Sequence, residues 1–168
     1  MHHRFPVLYF NAMDNILIGA FEKGEEFLVS ELIKTCFDEF VAPGYTSAGN
    51  NFFYTYSGPE KIVERFVQGN VLLTAKANGE IVGVIEVRDG NHISLLFVNK
   101  FRHGNGIAKR LVAQAAALCR EKDKGLRYFE VNASPYSEKI YARMGFKKTS
   151  NIQNVNGLKF IPMVLKLV

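Results

Sequence analysis

Gly104 and Gly106 stand between an apolar run at residues 93–98 and a stretch from Ile107 onward in which apolar residues recur at helical spacing. That order predicts a strand, a glycine-bearing turn and a helix. Glycines let the backbone approach a ligand closely, and the first N–H groups of a helix have no partners within it. The turn therefore suits a phosphate or pyrophosphate. Lys100, Arg102, Lys109 and Arg110 surround it with positive charge. No Lys-Ser/Thr pair follows the glycines, which argues against a nucleotide or phosphate-binding protein of the Walker type.

The residues of this turn resemble a signature of the GNAT superfamily of N-acetyltransferases. There Gln or Arg is followed, after two residues, by Gly and, one residue further, by Gly or Ala; here those places hold His103, Gly106 and Ala108. Residues 131–146 (VNASPYSEKIYARMGF) are similar to the family's other signature, a helix bearing Tyr followed by Gly-Phe. One helix and one strand separate the two stretches, as in the family, and the resemblance runs from about residue 16 to the end.

The resemblance implies an acetyl-CoA-dependent N-acetyltransferase that passes an acetyl group directly to a primary amine. Such chemistry needs a held cofactor, a deprotonated amine, stabilisation of the charge that builds on the carbonyl oxygen, and a proton for the departing thiolate. The pyrophosphate is expected on the turn formed by His103, Gly104, Asn105, Gly106, Ile107 and Ala108, with Arg102 and Lys109 beside it. The resemblance further implies that the strand before the turn splays from the strand after the helix. Its residues Leu96, Phe97 and Val98 would pair with the pantetheine arm through their backbone, with Asn132 facing the arm from the other strand. Ser134 holds a place where the family often has Asn.

Tyr141, just before Gly145-Phe146, takes the place of the family's general acid. His92, eleven residues before His103, takes a position that carries a glutamate base in the histone-acetyltransferase branch. Imidazole has a pKa suited to accepting a proton from an ammonium near neutrality. Glu86, on the neighbouring predicted strand, is the reserve base, and a chain of waters would be a third route. Ser94 alternates onto the strand face of His92. The rival function is a non-catalytic acyl-CoA sensor or interaction module that retains the cleft, which the presence of Tyr141 disfavours. His92 and His103 have no thiol or carboxylate at metal-ligand spacing, so no metal is expected.

The elements that must position these residues follow from periodicity. A strand is expected at 16–22 and a helix at 25–40, whose stripe of Phe27, Leu28, Leu32, Ile33, Cys36, Phe37 and Phe40 would lie on a sheet until Pro43 and Gly44 end it. Residues 46–56 read as a loop whose rings, with Tyr45, Phe52, Phe53, Tyr54 and Tyr56, either cover a sheet edge or wall an acceptor pocket. Ser57-Gly58-Pro59-Glu60 reads as a capping box opening a helix that ends near Gly69. Strands at 71–77 and 81–88 are joined at Asn78-Gly79, and Asp89-Gly90 turns the chain into a strand at 92–98.

Beyond the central turn, Ile107, Leu111, Val112, Ala115, Leu118 and Cys119 give a long helix its buried face. The strand at 128–132 is then parallel to that at 92–98 because a helix joins them. A short helix at 137–144 and a hairpin of 146–149 with 158–168 complete an α/β fold with a mixed, mostly antiparallel sheet and helices on both faces.

A chain of 168 residues suits one domain, here 16–168, preceded by an extension at 1–15 that holds an additional edge strand at 5–10 or a cloning remnant. His2 and His3 are read as inert. The net charge of +5 suits an anionic small molecule, but the basic residues are scattered and no aromatic-basic pattern points to nucleic acid. No run approaches a bilayer span, so a cytoplasmic monomer or homodimer without a membrane partner is expected, acting on a small-molecule or peptide amine. Cys36 and Cys119 are expected as buried free thiols.

Overall fold

The computed structural model describes residues 15–168; the expected edge strand at 5–10 and the His2-His3 pair lie outside the described residues. The strands are β1 (Ile16–Ala20), β2 (Val71–Ala77), β3 (Glu80–Arg88), β4 (His92–Val98), β5 (Tyr128–Ala133), β6 (Lys147–Lys148), β7 (Gln153–Val155) and β8 (Leu158–Lys166). The helices are α1 (Glu26–Phe40), α2 (Ser47–Tyr56), α3 (Pro59–Val67), α4 (Ile107–Lys122) and α5 (Glu138–Arg143). The sheet runs β1-β2-β3-β4-β5-β8-β6, with β7 attached to β8. Among the described pairings only β4 with β5 is parallel. This is the mixed, mostly antiparallel sheet expected, and helices cover both faces.

The two faces bury different sets. Val29 and Ile33 of α1 and Ile62 of α3 pack with Leu72, Val84 and Leu95. On the other face Ile107, Leu111 and Ala115 of α4 pack with Leu73, Ala75 and Ile85. Gly83 makes the close approach of α4 practicable, since a Cβ there would lie 3.2 Å from both Ile107 and Leu111. The Asn78-Gly79 turn has positive φ at both residues, 51° and 83°, the geometry that matches strand twist in a two-residue hairpin.

Several expectations are corrected. Phe27 and Leu28 are 68% and 61% exposed, because the sheet-facing arc of α1 is centred on Val29, Ile33, Cys36 and Phe37. Leu118 falls at the rim of the buried arc of α4, and Ala116 is buried instead. β1 stops at Ala20, and Phe21 turns into the core. Residues 46–56, expected as a loop, form α2. Its cap is Thr46, whose Oγ1 accepts the Gly49 N–H at 3.1 Å.

The capping box at 57–60 is not made: Gly58 is the N-cap, and the Ser57 hydroxyl donates back to the Phe53 carbonyl at 2.9 Å. Pro59 does open α3, as expected. The additional strand β7 turns into β8 at Asn156-Gly157, again with positive φ at both positions. α2 rests on this turn so closely that a Cβ at Gly49 would come within 2.5 Å of the Gly157 carbonyl oxygen. Among the described residues, no helix is long and apolar enough to cross a membrane.

Candidate active site

β4 and β5 pair only through His92 with Glu130 and Ile93 with Val131; beyond these residues the strands part. A cavity of about 840 Å³ occupies the gap. Leu96, Phe97 and Val98 line one arm of the gap and Asn132 lines the other. Gly104, Gly106, Ile107, Ala108 and Lys109 line its far end with Arg102, and Tyr141 contributes from α5. The structure thus brings most of the expected site residues onto one wall system.

A bulge in β4 decides which face each side chain takes. Val87 faces Ile93 and Glu86 faces Leu95, which leaves Ser94 as an additional residue without a partner on β3. Ile93 consequently packs with the α4 core and Leu95 with the α1–α3 core. The pleat then puts His92 on the α1–α3 side, opposite to Ile93. His92 and Ser94 both line the cavity, as the alternation argument expected, although the strand is not regular between them.

The turn after β4 fits a bound pyrophosphate. Gly104 and Gly106 have φ of 80° and 71°, a region costly for residues with a Cβ, and the space in front of each is open for 4 Å. Gly106 is the N-cap of α4, and among the described residues no side chain caps the helix, so its first N–H groups can meet a ligand. Arg102 and Lys109 add positive charge. The anion turn, the cations and the apolar strand arm together fit coenzyme A. Asn105 is exposed and does not line the cavity, so of the expected turn residues it offers at most its backbone. The His103 ring folds back and donates from Nε2 to the Val98 carbonyl at 2.8 Å, an oxygen that the Cys36 thiol also approaches at 3.5 Å. Ser134 is buried and bonds to the Ser137 hydroxyl at 2.8 Å ahead of α5.

Tyr141 is 6% exposed, and burial alone pushes its phenol far above the ordinary range. It stays protonated at any physiological pH, the state a proton donor needs. His92 is also partly buried, and burial, followed by the nearby Arg88 cation, holds its pKa below the ordinary 6.5. Glu130 pulls the other way from 3.9 Å at Nδ1, but its carboxylate is half exposed and does not offset burial. Neutral His92 can therefore accept a proton at pH 7. Cys36 lines the cavity as well, but burial raises its thiol to about 11, so it is no nucleophile.

Glu86 does not reach the cavity. It is 1% exposed, and its carboxylate accepts from Arg65 Nε and Nη2 at 2.8 and 3.0 Å, from Asn70 at 2.8 Å and from Ser94 Oγ at 3.0 Å. So engaged, it is the anchor of a polar network, and the reserve-base role has no geometric support. Tyr45, Phe52, Phe53 and Tyr56 line the cavity, and Phe53 and Tyr56 also cover the sheet, so the segment does both things expected of its rings. Tyr54 does not; its hydroxyl donates outward to Asp38 at 2.5 Å. Arg88 was missed in sequence: the three-residue connection 89–91 places it directly opposite His92, whereas a two-residue Asp89-Gly90 turn would have paired it with Asn91.

Known proteins share this fold. A solved GCN5-related N-acetyltransferase from Rhodopseudomonas palustris superposes with a TM-score of 0.76 at 19% identity, over 90% of this chain and 95% of that one. The PaiA N-acetyltransferase of Thermoplasma acidophilum, solved with coenzyme A, gives 0.72 at 19% identity over 90% and 99%. In sequence, UPF0039 protein C11D3.02c of Schizosaccharomyces pombe is 25% identical over 100 residues, 57% of this chain and 67% of that protein. The family described as the acetyltransferase (GNAT) domain matches residues 41–167, and the chain belongs to that family.

Proposed function

We propose that this protein is an acetyl-CoA-dependent N-acetyltransferase that transfers the acetyl group directly to a primary amine. The observation that carries this reading is the single cavity between the parted β4 and β5. It has an anion turn at one end and, along its walls, a protonated phenol and a neutral imidazole. Acetyl-CoA supplies an activated acyl carbon: the new N–C bond forms as the thioester C–S bond breaks, giving an amide and a thiol.

The chain's own residues supply the rest. The N–H groups at the start of α4, with Arg102 and Lys109, hold the phosphates. The edge of β4 at Leu96–Val98 orients the arm. His92 takes a proton from the ammonium, through Nε2 because Nδ1 faces Glu130. Tyr141 gives its hydroxyl proton to the departing sulfur, and the acylated nitrogen sheds its second proton, which restores the phenol, as the amide forms. The aromatic wall of α2 keeps water from the reacting centre.

The test is release of free thiol from acetyl-CoA by the purified protein across a panel of primary amines. Saturable, amine-dependent release supports the reading. A folded protein whose unfolding temperature does not rise with acetyl-CoA or coenzyme A, and which releases no thiol, overturns it.

A further inference from the structure

The cavity wall is one-sided in charge. Arg88, Arg102, Lys109 and Arg143 line it, and among the described residues no Asp or Glu does. Arg102 and Lys109 belong to the anion turn at the start of α4. Arg88 belongs elsewhere: it ends β3 with side-chain parity matching that of Val84, which packs with α1 and α3, whereas α4 covers the opposite face. From His92 to the end of β4 is about 20 Å at strand rise, so Arg88 is remote from phosphates held at the turn. It faces whatever enters from the α1–α3 side.

Arg88 and His92 are directly opposite in the β3–β4 ladder. Such cross-strand neighbours have Cβ atoms about 5 Å apart and share a face. That is the scale on which one small molecule can present an amine to the imidazole and an anionic group to the guanidinium. Among the described residues the ion pair of Arg88 is with Asp89; both side chains are exposed, so the contact is weak and leaves donors of the guanidinium available. Much of the remaining wall is apolar: Tyr56 lines it near Ser94 and Arg88, and toward the end of β4 Phe37 and Phe53 stack at 4.0 Å, with Phe97 5.9 Å from Phe53. A polycationic acceptor would bring additional ammonium groups against the cations of this lining, the carboxylates nearest its Arg88 end being Glu130 beside His92 and Asp89, already paired with Arg88.

Resting on the acetyltransfer reading above, we propose that the acceptor is an apolar amino acid. Its primary amine is delivered to His92, its carboxylate is held by Arg88, and its side chain lies on the Tyr56 side of the cavity. The product is the N-acetyl amino acid, formed with the bond changes and proton transfers already described.

The experiment compares phenylalanine and leucine with their amides, phenethylamine, spermidine and an aminoglycoside, by thiol release from acetyl-CoA, in the wild type and in Arg88→Met. The free acids are expected to be the best acceptors, with kcat/KM about 10- to 100-fold above that of the amides, the range of one charged hydrogen-bonding contact. Arg88→Met should remove that preference by raising KM for the acids while KM for acetyl-CoA stays unchanged. Preference for spermidine, the aminoglycoside or the amides overturns the inference while leaving acetyl transfer intact. So does an acid KM unaffected in Arg88→Met, or no turnover of any acid by protein that binds acetyl-CoA. Failure to bind any form of coenzyme A sinks the acetyltransferase reading itself.

Discussion

Tyr141 keeps its proton because nothing beside it stabilises a phenolate; burial acts unopposed. Removing only the hydroxyl, in Tyr141→Phe, should lower kcat about 100-fold and leave KM for acetyl-CoA nearly unchanged, as steady-state kinetics would show. His92 makes a prediction of opposite sign in pH. Its pKa is held below 6.5, so the base is lost only as pH falls through that lowered value. The acid limb of kcat/KM should therefore lie below pH 6.5 and disappear in His92→Ala; an acid limb that survives the substitution removes His92 from the role. Glu86 answers to stability. Deleting its carboxylate strands the Arg65 guanidinium, so Glu86→Ala should cost about 3 kcal/mol, a fall in Tm on the order of 10 °C for a chain of this length.

At the level of elements, the anion turn is set by backbone conformation. A methyl group at Gly106 meets open space but forces a left-handed φ on alanine, at about 1 kcal/mol. Gly106→Ala should thus weaken acetyl-CoA binding, measured by titration calorimetry, more than it lowers Tm. Elements of this kind were legible in sequence because their signals are local: Asn78-Gly79, Asp89-Gly90, the strand before Gly104 and the buried stripe of α4. α2 was not legible. Its asparagine, glycine and aromatic residues have weak helical preference, and the Thr46 cap and the turn beneath it make the helix. The exposed Phe27 and Leu28 show a related limit, since periodicity reports that a face is apolar but not how far round the helix the sheet reaches. The bulge at Ser94 left no mark in residue type, and Arg65 with Glu86 came together only through the tertiary fold.

For the whole molecule, the parting of two parallel strands joins the two faces of the sheet through one cavity. Ligand arriving at the α4 end is therefore linked to global stability. Acetyl-CoA at about 100 times its dissociation constant should raise Tm by roughly 5 to 10 °C, readable by scanning calorimetry. Behind the part of the wall lined by Phe52, Asn156 and Leu158, the start of α2 meets the β7–β8 turn, glycine backbone against glycine backbone. Neither segment can gain a side chain there without displacing the other. The shape of the cavity wall there is consequently a joint property of two distant stretches of chain, and exchanging one of them alone should lower Tm before it reshapes the wall.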